Sequence, residues 1–158
     1  QCNAKPLGCH RMSVEYLHAI LGRGFHSLSD AISFLTEVVG EFKRNNIRTS
    51  IFLNPEPKFI ENLHKIGTDR IELYTEHFAS AYEKDNKQVI KPYIAAANLA
   101  HELGLGINAG HDLSLDNIEF FKQNIPNLAE VSIGHALISE SLYLGLQNVV
   151  NMYLHRLQ

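Results

Sequence analysis

From residue 28 onward the apolar positions alternate between two spacings, one of three or four residues and one short and nearly continuous. Ile32, Leu35, Val38, Val39 and Phe42 recur three or four apart, which predicts a helix over 29–45. Ser29 or Asp30 can cap it, because their side-chain oxygens accept bonds from the free amides of a first turn. Arg48–Leu53 is β-branched and apolar and stops at Asn54-Pro55, which predicts a buried strand. A short helix is expected over 56–65, ended by Gly67. A second strand is expected over 69–74, then a long amphipathic helix over 86–103 with Pro92 near its first turn. A strand over 104–109, a helix over 114–123, a strand Leu128–Ile133 and a closing helix over 136–157 complete the pattern.

Strands separated by helices pair in parallel through right-handed crossovers. The expected fold class is therefore α/β, with four strand–helix units behind an opening helix. A closed eight-unit barrel takes about 250 residues, so 158 residues suit half a barrel or a small open sheet. Residues 1–24 follow neither spacing. A short helix over 12–20 and no strand are expected there, which sets a leader apart from a domain at 25–158.

Composition narrows the function classes without naming one. The apolar share of 45% and charged share of 20% are those of a globular domain. A net charge of −3 with scattered Lys and Arg disfavours a nucleic-acid surface. No run of 18 apolar residues predicts a membrane span, and the first residues lack the apolar stretch of a signal peptide, so the cytoplasm is expected. Cys2 and Cys9 are the only cysteines, too few for a disulfide scaffold and without zinc spacing. No metal is expected, since the acidic and histidine residues show no His-x-x-x-His or clustered ligand spacing, and no P-loop, dinucleotide fingerprint or nucleophile elbow is present.

The candidate chemistry lies at the strand ends. In parallel α/β proteins these cluster on the face where ligands bind. Two Gly-His pairs, Gly110-His111 and Gly134-His135, each follow an apolar run and precede a helix. His111 can serve as a general acid or base, since imidazole titrates near neutrality; the alternative is a histidine capping the next helix or bonded to nearby backbone. Gly134-His135 places free amides at a helix start, which attract anions; the alternative is a tight turn that needs glycine. Alternation places Glu72, Tyr74 and Glu76 on one strand face. A strand-interior glutamate is costly to bury without a partner, so Glu72 is either functional or paired with Arg70 or Arg48. His64, His101 and His155 are expected on helix surfaces, and His10, His18 and His26 have no assigned role.

The run Gly104-Leu105-Gly106-Ile107-Asn108-Ala109-Gly110-His111-Asp112-Leu113, followed by Glu130-Val131-Ser132-Ile133-Gly134-His135-Ala136, resembles the pyridoxine 5'-phosphate synthase family. Arg48–Leu53 and the run Arg70-Ile71-Glu72-Leu73-Tyr74-Thr75-Glu76 resemble the two preceding strands of that family, and the resemblance extends from about Gly24 to the C-terminus. It implies a TIM-barrel fold, with 25–158 as the C-terminal half of a (β/α)8 barrel, and a homo-oligomer, an octamer in the full-length family. It also implies condensation of 3-amino-2-oxopropyl phosphate with 1-deoxy-D-xylulose 5-phosphate to pyridoxine 5'-phosphate, phosphate and water, without cofactor or metal. By the same resemblance His111 is the proton donor and Glu72 the carboxylate that stabilises the transition state. Asp112 falls at a substrate-contact position where many relatives carry glycine, and Gly134 and His135 bind the phosphate of the amino ketone. Tyr74 stands where histidine is common, and Glu76 where glycine is. The family's Asn-Ile-Asp-His and His-Leu-Arg-Glu-Asp-x-Arg-His motifs and its third-strand glutamate are absent from these 158 residues, so little or no activity is expected of them alone. Two other readings are a phosphate-ligand binding module without catalysis and a half-barrel scaffold that works by self-association.

Overall fold

The computed structural model describes residues 9–13 and 28–158. Their strands form one parallel sheet that follows chain order: β1 (Cys9–Ser13), β2 (Arg48–Leu53), β3 (Arg70–Tyr74), β4 (Gly106–His111) and β5 (Leu128–Ile133). The helices are α1 (Leu28–Arg44), α2 (Pro57–Ile66), α3 (Glu76–Val89), α4 (Lys91–Glu102), α5 (Ile118–Asn124), α6 (His135–Leu144) and α7 (Leu146–Arg156). Sequential order with helical crossovers is the pattern of a (β/α) barrel, here carried through five parallel strands.

Register divides the sheet into two faces. Ile51, Ile71 and Ile107 align across β2, β3 and β4, as do Leu53, Leu73 and Ala109, and all six are at most 1% exposed. Against this apolar face pack Leu35 and Val39 of α1, Ile60 and Leu63 of α2, Ala96 and Ala100 of α4, and Phe121 of α5. Phe78, Tyr93 and Phe121 form an edge-to-face cluster with centroids 4.9–5.9 Å apart, which adds about 0.5–1.5 kcal/mol per pair beyond area burial. The Tyr93 hydroxyl accepts the Phe78 amide at 3.2 Å, and burial pushes this phenol up to about 12. The opposite face carries Ser50, Phe52, Arg70, Glu72, Tyr74, Asn108 and Glu130, because alternate residues of each strand point that way. One irregularity keeps β5 in phase. Ile107 aligns with Leu128 but Asn108 with Glu130, so Ala129 is a bulge residue.

Several expectations need correction. The first 24 residues contain a strand, β1, where none was expected, and it pairs with β2 from Cys9↔Arg48 to Ser13↔Phe52. Met12 and Ser13 belong to it rather than to a helix; 14–20 lie outside the described residues. The helix expected over 86–103 is divided at Ile90 into the end of α3 and α4, with Pro92 near the start of α4; α3 also runs back to Glu76 across Asp85, a non-helical residue whose side chain accepts the Gln88 amide at 3.0 Å. The closing helix breaks at Gly145, whose φ of +82 a helix cannot accommodate. Glu76 does not extend the strand face of Glu72. It opens α3 and bonds Ser80 at 2.7 Å.

The last part of the chain differs from the rest in burial. α6 has no buried residue, and Ile138, Leu142, Tyr143, Leu144 and Leu146 are exposed.

Candidate active site

Glu72 sits in the middle of β3 on the polar face and is 1% exposed. His111 is the last residue of β4 rather than the first residue beyond it. Its Nδ1 stands 3.9 Å from Glu72 Oε1, with half of the imidazole side chain open to solvent. Phe52 meets the imidazole edge-on at 5.3 Å and Tyr74 at 5.2 Å. One aromatic ring thus backs the histidine while its other side remains accessible. A buried carboxylate beside a half-exposed imidazole can balance a positive charge on that ring.

The backbone at His111 is unusual. Its φ is +80, a left-handed conformation that costs an L-residue about 1–2 kcal/mol. Such strain persists where the surroundings over-determine it, and both flanking residues are held. Thr75, fully buried, donates its hydroxyl to the Gly110 carbonyl at 2.6 Å and accepts the Asp112 amide at 3.3 Å. Gly110 lies so close to β5 that an added Cβ would overlap the Ser132 carbonyl oxygen.

Asp112 follows on the same ledge, with its Oδ2 3.5 Å from Thr75 Oγ1. Burial is the main influence and pushes its carboxyl up; Glu76 adds to the rise, while His111 and Thr75 oppose it. A carboxyl raised in the folded state binds its proton more tightly than in the unfolded chain. Ionised Asp112 therefore destabilises the fold above its raised value, and the penalty vanishes below the unfolded value of about 3.9. Asp112→Asn is accordingly expected to raise the urea midpoint at pH 7, with the advantage shrinking towards pH 4. An advantage independent of pH would show that charge is not the cause.

Gly134 and His135 stand on the neighbouring strand end. His111 aligns with Ile133, one residue before Gly134, which puts both Gly-His pairs at the C-terminal edge of the sheet. Gly134 precedes α6 without a side-chain cap, and nothing lies within 4 Å of where its Cβ would be. Gly134 and His135 are exposed, and a helix start leaves its first amides without intrahelical partners, the arrangement that accommodates an anion.

The arginines expected as alternatives for Glu72 are engaged elsewhere. Arg48 and Arg70 reach Glu130 at 2.9 and 3.3 Å, Arg70 also donates to Asn108 Oδ1 at 2.9 Å, and Asn108 donates to Glu130 at 3.3 Å. This polar ladder crosses β2 to β5 on the Glu72 face. Sequence alone placed Thr75 at a strand end and Asn108 beside His111, but gave no role to them or to Phe52 and Glu130. Only the polarity of Asn108 and Glu130 within strand runs signalled them. His64, His77, His101 and His155 are exposed, His10 lies on β1, and His18 and His26 lie outside the described residues. Among the described residues no three His, Cys, Asp or Glu side chains gather as a metal site, and no helix is long and apolar enough to cross a membrane.

A parallel βα sheet in sequential strand order, with a histidine at one strand's C-terminal end facing a carboxylate inside the adjacent strand, has the layout of (β/α)-barrel proteins, whose chemistry sits at the C-terminal side of the strands. Residues 22–158 match the family described as pyridoxal phosphate biosynthesis protein PdxJ, and the chain belongs to that family. It is 70% identical over 125 residues to a pyridoxine 5'-phosphate synthase of Flavobacterium johnsoniae, covering 79% of this chain and 53% of the relative. Similar proteins of the same name occur in Christiangramia forsetii, 62% identical over 125 residues (79% and 53%), and Cytophaga hutchinsonii, 52% over 126 (80% and 53%). The chain spans about half the length of the curated relatives it matches.

Proposed function

We propose that this chain supplies the C-terminal half of a pyridoxine 5'-phosphate synthase, with residues 25–158, joined at the sheet edge by β1, as its barrel portion. The observation that carries the reading is the His111–Glu72 pair at 3.9 Å on adjacent strands, in a chain 70% identical over 125 residues to a protein of that name. The substrates are 3-amino-2-oxopropyl phosphate and 1-deoxy-D-xylulose 5-phosphate. Gly134 and His135 bind the phosphate of the amino ketone at the start of α6, where amides and helix dipole favour an anion. His111 delivers a proton to the departing oxygen, and Glu72 offsets positive charge that builds in the transition state. Asp112 contacts substrate from the ledge beside the histidine. The reaction uses no cofactor or metal and runs in the cytoplasm. The exposed apolar residues of α6 favour a homo-oligomer; an active enzyme sedimenting as a monomer would remove that part of the reading.

The test combines the 158-residue chain with the portion of the Flavobacterium johnsoniae relative outside the matched stretch. With both substrates, pyridoxine 5'-phosphate is expected from the combination and little from either part alone. A folded combination that makes no product counts against the proposal. The open space at Gly134 favours one second reading, a phosphate-ligand module without catalysis. That reading expects inorganic phosphate to raise the melting temperature of the chain, an effect lost in Gly134→Asp but kept in His111→Ala, with no turnover in the combination.

A further inference from the structure

We propose that Thr75 is the positioning residue that holds His111 against Glu72. The proposal rests on His111 and Glu72 acting together, but it concerns their geometry. Thr75 is the first residue beyond β3, three after Glu72. β3 carries the carboxylate and β4 the imidazole, so the separation of these two strand ends sets the 3.9 Å approach. The Thr75 hydroxyl bridges them at that point. Its one proton goes to Gly110, on one side of His111, and its lone pair receives the amide of Asp112, on the other.

A residue at φ +80 is held there by what fixes its two neighbours. Gly110 is confined by Ser132 across β5, and Asp112 is confined by the threonine. Without the hydroxyl, the part-buried Asp112 amide and the buried Gly110 carbonyl lose this partner, a penalty relieved most directly by letting the 110–112 backbone relax. Relaxation towards negative φ swings the imidazole away from Glu72. A purely packing role would need only the volume of the side chain, which valine supplies and serine lacks in part.

The test is spectroscopic and independent of turnover. The 158-residue chain is labelled with ¹⁵N, and the imidazole resonances of His111 are compared in parent, Thr75→Val and Thr75→Ser chains, each with and without Glu72→Gln. The proposal expects Glu72→Gln to move the His111 resonances in the parent and the serine chain, and to move them at least about fivefold less in the valine chain. An equal response in the valine chain overturns it. If the valine chain does not fold, hydrogen exchange decides. The Asp112 amide is then expected to be protected by roughly 10²-fold or more in the parent and serine chains, and a freely exchanging amide overturns the proposal. A loss of coupling in an inactive assembled enzyme would leave Thr75 positioned as described and reject only the catalytic reading of His111.

Discussion

His111→Ala is expected to reduce turnover of the assembled enzyme by roughly 10²–10⁴-fold, the usual cost of removing a positioned acid or base. The fold should survive, because half of the His111 side chain is already in solvent and alanine keeps the same Cβ at φ +80, so it adds no backbone strain and buries no polar group. The fall should therefore appear in kcat rather than in the yield of folded protein. Glu72→Gln keeps the side-chain volume and removes the charge beside the ring. If the carboxylate supports the transition state, it should also lower kcat with little change in KM, since an interaction made only in the transition state is lost. The pair lies within contact range, so the double variant should lose less than the product of the two single effects. Full activity in His111→Ala would sink the proton-donor role while leaving the family assignment intact.

Gly110→Ala is expected to be the most damaging single-methyl change in the sheet. Its Cβ would overlap the Ser132 carbonyl oxygen and stand 2.9 Å from the Ser132 carbonyl carbon and Cβ. Backbone cannot rotate aside as a flexible side chain can. The clash is relieved only by parting β4 from β5, at about 1–3 kcal/mol or more for overpacking of this kind. The same movement displaces His111, so loss of stability and loss of the His111–Glu72 contact should appear together. Gly134→Ser is the control. Nothing lies within 4 Å of its Cβ, and serine suits a helix cap, so stability should stay within about 0.5 kcal/mol. Urea midpoints for the two variants separate the expectations, and equal midpoints would refute the close-approach argument.

Local pattern carried much of the architecture. The apolar triplet spacing in α1, the β-branched run of β2 and the two Gly-His strand ends are each encoded within about a turn or a strand of chain, so they were legible. Errors arose where a local signal was weaker than its neighbours. The segment around β1 has no apolar run, and its strand exists through pairing with β2. Gly145 broke a helix that apolar spacing alone would have continued.

The sequence by itself determined that Glu72 points to the polar side of a strand and that His111 and Gly134 fall at strand ends, because alternation and turn chemistry are properties of neighbouring residues. Only the tertiary structure decided what those groups meet. Arg48 and Arg70 could have neutralised Glu72, but a one-residue bulge at Ala129 brings Glu130 level with Asn108 and draws both arginines to it. His111 then faces Glu72 from a position 39 residues away in sequence number (111 − 72). Contacts over that distance depend on strand register, which is set by packing across the whole sheet rather than by any local stretch of chain.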